Sequence, residues 1–243
     1  DVCSSDLIFD AVYHWGKTLV KLRNSKEVNK LSPLHIFLTG GGGCGKSHLL
    51  ITLYKALTKV LMHKGGEPDK PRVLRIAPTG VAAINISGTT IHTALGIHGN
   101  GLCGALSSLR MQKLRNLLSE VEAVIIDEIS MVSGMLLLNI HLRLCQIIGV
   151  DTNVPFAGKT IIACGDLFQL PPVIGTKVFQ ECSNNMLSKV LKLWKNFKIA
   201  ELTESVRQKG DDTFINLLNN IRTGEITAED EEILKSRFIL PDD

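Results

Sequence analysis

A glycine-rich stretch near the start of the chain has the residue types needed to hold a nucleoside triphosphate. It reads GGGGCGKS from Gly40 to Ser47 and fits the phosphate-binding pattern G-x-x-x-x-G-K-[ST]. Backbone N–H groups approach a phosphate closely only where no Cβ intervenes, so glycines suit this task. Lys46 would reach the β- and γ-phosphates of ATP, and the Ser47 hydroxyl would be a ligand of Mg²⁺. The residues expected to bind the phosphates are Gly40, Gly41, Gly42, Gly43, Cys44, Gly45, Lys46 and Ser47.

The segments on either side of this stretch decide whether the pattern is a phosphate-binding loop. Leu34–Leu38 is apolar or β-favouring and predicts a short buried strand, while His48–Met62 carries apolar residues at helical spacing. Strand, glycine loop and helix in this order are the context in which the pattern binds phosphate, and the helix adds the positive end of its dipole. The alternative is a glycine-rich turn whose lysine is merely solvated. The flanking elements favour the phosphate-binding loop.

Two adjacent carboxylates follow a second apolar run. Ala123–Ile126 predicts a strand, and Asp127 and Glu128 come directly after it, as in a Walker B element. Asp127 would hold Mg²⁺ through water, because this small cation prefers oxygen ligands and keeps part of its hydration. Glu128 would polarise the attacking water. Both carboxylates could instead favour the dipole of a following helix, and the two roles are compatible.

Two further polar side chains could act on the terminal phosphate. Gln169 lies in GDLFQLPPV, Gly165–Val173, where its amide could sense the γ-phosphate or the attacking water and the paired prolines would stiffen the loop. Arg207 lies in ELTESVRQ, Glu201–Gln208, and could neutralise charge that develops on the transferred phosphoryl group. Considered alone, each of the two is more often a solvated surface residue.

The alternation of strands and helices along the chain predicts an α/β fold with a parallel sheet covered by helices on both faces. Ligands of such sheets bind at the carboxyl ends of the strands, and the glycine loop, the carboxylate pair and the Gln169 loop all follow predicted strands. They are therefore expected to converge at one edge. The other predicted strands are Val73–Ala77, Lys159–Cys164 and Phe197–Leu202, and the other predicted helices are Ile8–Leu22, Ser107–Leu118, Gly134–Ile148, Asn184–Trp194, Asp212–Arg222 and Thr227–Arg237, with two short helical pieces in Ala77–Leu95.

The bulk composition is that of an ordinary globular protein. The chain has 243 residues, 44% hydrophobic and 21% charged, and its net charge of +3 does not by itself indicate nucleic acid. No apolar run is long enough to cross a bilayer, so no membrane partner is expected. The six cysteines form no C-x-x-C pair, which predicts reduced thiols rather than a zinc site. A lysine recurs every three residues from position 189 to position 198, and two interpretations are open. These side chains form either a solvated helix face or a surface that follows the phosphates of a nucleic acid. The lysines are Lys189, Lys192, Lys195 and Lys198.

Several motifs in a fixed order resemble those of the Pif-type (petite integration frequency) DNA helicases of superfamily 1B. DEISM and GDLFQLPPV together are highly specific to that family, and the resemblance covers Ile8–Arg237. The amino-acid sequences of these motifs are similar to those in the helicase copies carried by Helitron-like transposons and in their host relatives. The motifs are GGGGCGKS, APTG at Ala77–Gly80, TIH at Thr90–His92, DEISM at Asp127–Met131, GDLFQLPPV and LTESVRQ.

The resemblance implies an ATP-driven motor that moves 5′→3′ on single-stranded DNA and unwinds duplexes and quadruplexes. Such motors act on single-stranded and forked DNA in repair, recombination and telomere maintenance, and this one is expected to be a monomer of the nucleus or the mitochondrion. They have two RecA-like domains with ATP between them. The first is expected at residues 8–200 and the beginning of the second at residues 201–243, while residues 1–7 match a translated sequencing-adapter oligonucleotide and are expected to be an assembly scar.

The resemblance also assigns roles to residues by matching positions. The phosphate, metal and water roles inferred above agree with those of the family. Gln169 would couple the γ-phosphate to movement, and Arg207 would contact that phosphate from the next domain. The residues expected to line the DNA path are Pro78, Thr79, Gly80 and His92. The alternative for His92 is a histidine whose hydrogen bonds are satisfied inside the fold.

Three departures from the family pattern affect the expected activity. The adenine-reading glutamine before the first helix is absent, Val206 stands where an aromatic residue usually precedes the arginine, and no later motif with a distal arginine finger follows Arg237. Arginine fingers contribute roughly 10³–10⁵ in rate in related reactions. The chain is therefore expected to bind ATP and Mg²⁺ but to hydrolyse ATP slowly and not to unwind DNA. The alternative functions are a truncated, non-motor nucleotide- or DNA-binding remnant of a transposon-derived helicase and a P-loop ATPase of another kind.

Overall fold

Helices and strands alternate along the chain in the computed structural model, which describes residues 4–25, 27, 31–62, 66–99, 101–180, 190, 192–203 and 212–238. The helices are α1 Ser4–Asn24, α2 Lys46–Leu61, α3 Gly80–Asn85, α4 Ile91–Leu95, α5 Ser108–Leu118, α6 Gly134–Ile148, α7 Asp212–Thr223 and α8 Ala228–Lys235. The strands are β1 His35–Gly40, β2 Val73–Ala77, β3 Thr89–Thr90, β4 Ala123–Ile126, β5 Thr160–Cys164 and β6 Lys198–Leu202. Among the described helices, none is both long and apolar enough to cross a bilayer.

The six strands form one sheet in the order β3-β2-β4-β5-β1-β6, and every neighbouring pair is parallel. Apolar and β-branched residues dominate the central strands, and every residue of β4 and β5 is buried, as expected for a sheet covered on both faces. The predicted α/β fold with a parallel sheet is confirmed. Because all six strands run the same way, the loops that follow them meet at one edge.

Alternate residues of β1, β4 and β5 belong to two apolar clusters, one on each face of the sheet. Leu38 and Ile125 face the side covered by α1 and α2, where Leu53 of α2 is fully buried. Phe37 and Ile126 face the opposite side, which α4, α5 and α6 cover. The strands are therefore packed between two helical layers, and this gives the loops at their carboxyl ends a rigid base.

Element boundaries differ from the predicted ones in a few places. Helix α1 begins at Ser4 rather than Ile8, and β1 extends to Gly40 because Gly40 still pairs with Leu202 of β6. Strand β3 has only two residues, too few for a periodic pattern to predict it. The helix predicted at Asn184–Trp194 lies mainly outside the described residues. The predicted domain boundary at residues 200 and 201 falls inside β6 and stays a prediction.

Candidate nucleotide-binding site

The glycine loop between β1 and α2 has the backbone shape of a phosphate cradle. Gly43 and Gly45 adopt left-handed conformations, with φ of 79° and 85°, which residues with a Cβ rarely adopt. Lys46 folds back over the loop, where its Nζ donates to the backbone oxygens of Gly40 and Gly41, each at 2.8 Å. Because α2 begins at Lys46, its free N–H groups and its positive dipole end face the loop. This is the strand, loop and helix arrangement predicted from the sequence.

The carboxylate pair lies at the end of β4. Asp127 is buried, and burial raises its pKa to about 6, partly offset by the backbone N–H of Glu128, which donates to Asp127 Oδ1 at 3.0 Å. Glu128 is half-buried and has φ 51° and ψ 49°, a left-handed conformation that costs a non-glycine residue roughly 1–2 kcal/mol. Such strain is concentrated at functional sites. A three-residue 3₁₀ turn, Ile129–Met131, follows the pair, so the helix dipole next to these carboxylates is that of a single short turn.

The Gln169 loop follows β5 and is shaped by Asp166. The buried carboxylate of Asp166 accepts a hydrogen bond from the backbone N–H of Phe168 at 3.1 Å. The backbone oxygen of Asp166 accepts another from the N–H of Gln169 at 2.9 Å. Gly165 lets the ends of β4 and β5 approach each other, because a Cβ there would lie only 2.9 Å from the backbone nitrogen of Ile129. The side chain of Gln169 is exposed at the tip of this loop.

A cavity of about 490 Å³ brings these parts together. The glycine loop from Gly42 to Ser47 lines it together with Glu128 and Gln169. The predicted phosphate-binding loop, water-polarising carboxylate and γ-phosphate-sensing amide thus share one site. Arg207 lies outside the described residues, so its contact with the phosphate stays a prediction.

The oxygen ligands at this site fit Mg²⁺. Ser47 is exposed at the start of α2, and Asp127 supplies a carboxylate whose pKa is raised by burial and lowered to a smaller extent by the Lys46 ammonium group. Both are hard oxygen donors of the kind that Mg²⁺ prefers. The buried Asp127 carboxylate is disfavoured in its charged form, and a neighbouring divalent cation would remove that penalty.

A second cavity, of about 220 Å³, lies beside the end of β2. Pro78, Thr79 and His92, which were predicted to line the DNA path, lie on its wall. The segment Pro172–Gly175, a few residues after Gln169, forms another part of the wall. Gly80, the fourth residue of that prediction, is exposed immediately beyond Thr79. His92 is half-buried on a cavity wall rather than enclosed in the core.

The glycine-rich segment Gly96–Gly104 borders the second cavity and is fastened to α6 by two side chains that sequence reasoning missed. Asn139 is buried and donates its amide to the backbone oxygen of Gly101 at 2.8 Å, while accepting the N–H of Cys103 at 2.9 Å. Arg143, also buried, donates to the last backbone oxygen of the segment at 3.0 Å. Two polar residues four apart on an apolar helix are a signal that the sequence does contain.

Replacing Asn139 with alanine is expected to loosen this segment without unfolding the protein. One backbone N–H and one backbone C=O would lose their partners, at a cost of about 1–3 kcal/mol. Hydrogen exchange at the amide of Cys103 should then become roughly tenfold faster or more. Asn116→Ala is the matched control, because Asn116 is exposed on α5. Unchanged protection of Cys103 in Asn139→Ala would contradict the anchoring role.

The all-parallel sheet, the phosphate cradle and the carboxylate pair at the carboxyl edge together define a P-loop domain of RecA-like architecture. The profile of the family described as PIF1-like helicase matches residues 20–232, which is most of the chain. The chain belongs to this family.

Relatives and solved structures agree with the assignment. The ATP-dependent DNA helicase PIF1 of Candida albicans is 37% identical over 82% of this chain, and that of Saccharomyces cerevisiae is 36% identical over 93% of it. The chain spans only 22% and 26% of the length of these two proteins. Pif1 helicase from Bacteroides in complex with ADP-AlF3 and single-stranded DNA matches 90% of this chain and 50% of its own, with 31% identity and a TM-score of 0.64.

Proposed function

We propose that this chain is the ATP-hydrolysing part of an ATP-dependent DNA helicase that moves 5′→3′ along single-stranded DNA. The observation that carries the proposal is the position of the two cavities at one edge of the sheet. The first is lined by the glycine loop, Glu128 and Gln169, and the second by Pro78, Thr79 and His92. Gln169 and the segment Pro172–Gly175 belong to one short loop that lines both, so a change at the phosphate can reach the DNA side.

The residues around the first cavity divide the chemistry among them. Lys46 would exchange its hydrogen bonds to Gly40 and Gly41 for the β- and γ-phosphates, while the N–H groups of the glycine loop hold the remaining oxygens. Glu128 would orient and polarise the attacking water, and Gln169 would sense the γ-phosphate. Mg²⁺, held by Ser47 and Asp127, would neutralise charge on the phosphates.

The proposed partners are single-stranded and forked DNA. Pro78, Thr79 and Gly80 follow a strand whose carboxyl end faces the same edge, which suits contacts to a nucleic-acid backbone, and His92 suits a contact to a base. We place this activity in the nucleus or the mitochondrion, in DNA repair, recombination or telomere maintenance, and expect a monomer. The relatives named above, which are ATP-dependent DNA helicases, support the nucleic-acid partner.

The proposed domain division is a first RecA-like domain at residues 8–200 and the beginning of a second at residues 201–243. Arg207, in the second part, would contact the γ-phosphate of the nucleotide held by the first. The ordered motifs and the shared site favour a motor over a remnant that only binds nucleotide or DNA.

Lys46→Ala tests the nucleotide site directly. The substitution removes charge-assisted hydrogen bonds worth about 1.5–3 kcal/mol each, so calorimetry should show Mg²⁺–ATP binding weakened roughly a hundredfold. Binding of a labelled oligothymidine, measured by fluorescence anisotropy, should be the same in Lys46→Ala as in the wild type. In both proteins the logarithm of the binding constant should fall linearly with the logarithm of the salt concentration. Lys59→Ala, at an exposed position of the same helix, is the matched control.

Two results would count against the proposal. A wild-type chain that binds neither Mg²⁺–ATP nor oligothymidine would refute it. Oligothymidine affinity that does not depend on salt would argue against a DNA path along the second cavity. Loss of nucleotide and DNA binding together in Lys46→Ala would indicate misfolding rather than a local role.

A further inference from the structure

An ion pair between a buried carboxylate and a half-buried arginine ties α7 to the loop that carries Gln169. Arg222, near the end of α7, donates from Nε to Asp166 Oδ2 at 2.7 Å and from Nη2 to Asp166 Oδ1 at 3.0 Å. The Asp166 side chain is 0% exposed and that of Arg222 is 21% exposed. Such a two-pronged arginine–carboxylate contact fixes the relative orientation of the two groups as well as their distance.

The same carboxylate also organises the loop around Gln169. Asp166 Oδ1 accepts the N–H of Phe168, and Asp166 Oδ2 lies 3.5 Å from Gln169 Nε2, at the outer limit of a hydrogen bond. The guanidinium of Arg222 additionally lies over the Phe168 ring, 4.7 Å from its centroid. Arg222 therefore contacts both the anchor of the loop and the residue that precedes the glutamine.

We propose that Arg222 is a positioning residue that, by satisfying Asp166, keeps the side-chain amide of Gln169 free to contact the γ-phosphate. The inference rests on the proposed function, since it assumes that the glutamine senses a nucleotide. With Arg222 in place, both carboxylate oxygens are occupied by its guanidinium, and the amide of Gln169 is only weakly held. Without Arg222, the buried carboxylate lacks its counter-charge, and Gln169 Nε2 is a side-chain donor that already lies 3.5 Å from it. The amide would turn inward and away from the cavity.

The position of α7 gives this contact a further consequence. A cavity of about 280 Å³ is lined both by the glycine loop, through Gly41 and Gly42, and by α7, through Leu218 and Arg222. Movement of α7 relative to the glycine loop would therefore be transmitted to Gln169 through the Asp166–Arg222 pair. The competing explanation is purely structural, namely that Arg222 only fastens α7 to the edge of the sheet.

The affinity for ATP relative to ADP separates these two explanations. ADP lacks the γ-phosphate, so its binding reports on the glycine loop and the fold but not on the glutamine. The measurement is the dissociation constant of Mg²⁺–ADP and of an ATP analogue with an imido β–γ bridge, by calorimetry on the whole chain. Arg222→Ala is expected to lower the preference for the ATP analogue roughly tenfold, with the ADP constant within about threefold of wild type. Arg237→Ala, at an exposed arginine beyond α8, is the matched control.

A double substitution shows whether Arg222 acts through the glutamine. Gln169→Ala alone should lower the preference for the ATP analogue at least as much as Arg222→Ala. In the double variant Arg222→Ala should add nothing further, because the group that it positions is already gone. Arg222→Lys keeps the charge but not the two-pronged geometry and should fall between wild type and alanine. If Arg222→Ala does not fold, Arg222→Lys is measured in its place.

Each contrary result has a distinct meaning. Equal weakening of ADP and ATP analogue in Arg222→Ala would make the arginine structural and overturn the inference. Additive losses in the double variant, or no loss in Gln169→Ala, would show that Arg222 does not act through Gln169. A wild-type chain that binds neither nucleotide would refute the proposed function and, with it, the inference.

Discussion

Replacing Gly40 with alanine is expected to destabilise the chain by about 3–5 kcal/mol and to abolish nucleotide binding. A Cβ at this position would lie 2.5 Å from the backbone oxygen of Leu202 and 2.7 Å from Cys44 Sγ, and the φ of +149° is rarely adopted by residues with a side chain. Since Gly40 pairs with Leu202, the added methyl group must push β6 away from β1 or distort the glycine loop. Thermal unfolding should show a midpoint lower by roughly 10 °C.

Gly42→Ala is the matched control within the same loop. A Cβ there has no heavy atom within 4 Å, so the unfolding midpoint should stay close to that of the wild type. The comparison separates a general need for glycine from the specific close approach at Gly40. Equal stability of the Gly40 and Gly42 variants would contradict the geometry described for the end of β1.

Asp127→Asn is expected to stabilise the protein near neutral pH when divalent cations are removed by a chelator, although it damages the nucleotide site. The folded pKa of about 6 lies above the ordinary value of 3.8, so folding favours the protonated carboxyl and ionised Asp127 costs stability above pH 6. The difference corresponds to up to about 3 kcal/mol at pH 7.5. Asparagine is neutral and keeps an oxygen to accept the N–H of Glu128.

The sign of the effect is tested by its dependence on pH. The wild-type penalty falls as pH drops through 6 and is nearly gone at about pH 4, so the advantage of the asparagine variant should shrink over the same range. Urea unfolding with chelator at several pH values measures this. Asp69→Asn, at an exposed position, is the control. If Asp127→Asn had the same free energy of unfolding as the wild type at pH 7.5, burial would not disfavour the ionised form of Asp127.

The same substitution should weaken the effect of Mg²⁺ on nucleotide binding at least tenfold, because one of the two proposed oxygen ligands loses its charge. Stability and cation binding would then change in opposite directions at a single carboxylate. This opposition is typical of a site kept for function at a cost to the fold.

The parts of the site that could be predicted are those with a local pattern. The glycine loop is contiguous in sequence, and its flanking strand and helix have the periodicities of their classes. Asp127, Glu128 and Gln169 each follow a buried strand, and the rule that parallel strands end at one edge was sufficient to place them together. The structure does bring the glycine loop, Glu128 and Gln169 into one cavity.

The parts that could not be predicted depend on contacts between residues far apart in sequence. Arg222 pairs with Asp166 across 56 residues, and nothing in the surroundings of either residue specifies the other. The left-handed backbone of Glu128 is likewise not specified by its own residue type, and the next residue, Ile129, packs closely against Gly165 after β5. Local patterns identify the elements, whereas such pairs arise only when the elements pack.

The place of β1 between β5 and β6 has a consequence for how the chain folds. Leu34, just before β1, donates its backbone N–H to the Thr160 hydroxyl across 126 residues, and β6 lies still further along. At about 5–20 residues per second, a ribosome needs roughly ten seconds to make the intervening chain. Until then the strand that precedes the glycine loop has neither of its neighbours. Sheets built from such distant pairs fold slowly, so the newly made segment is exposed to aggregation for longer than a hairpin would be.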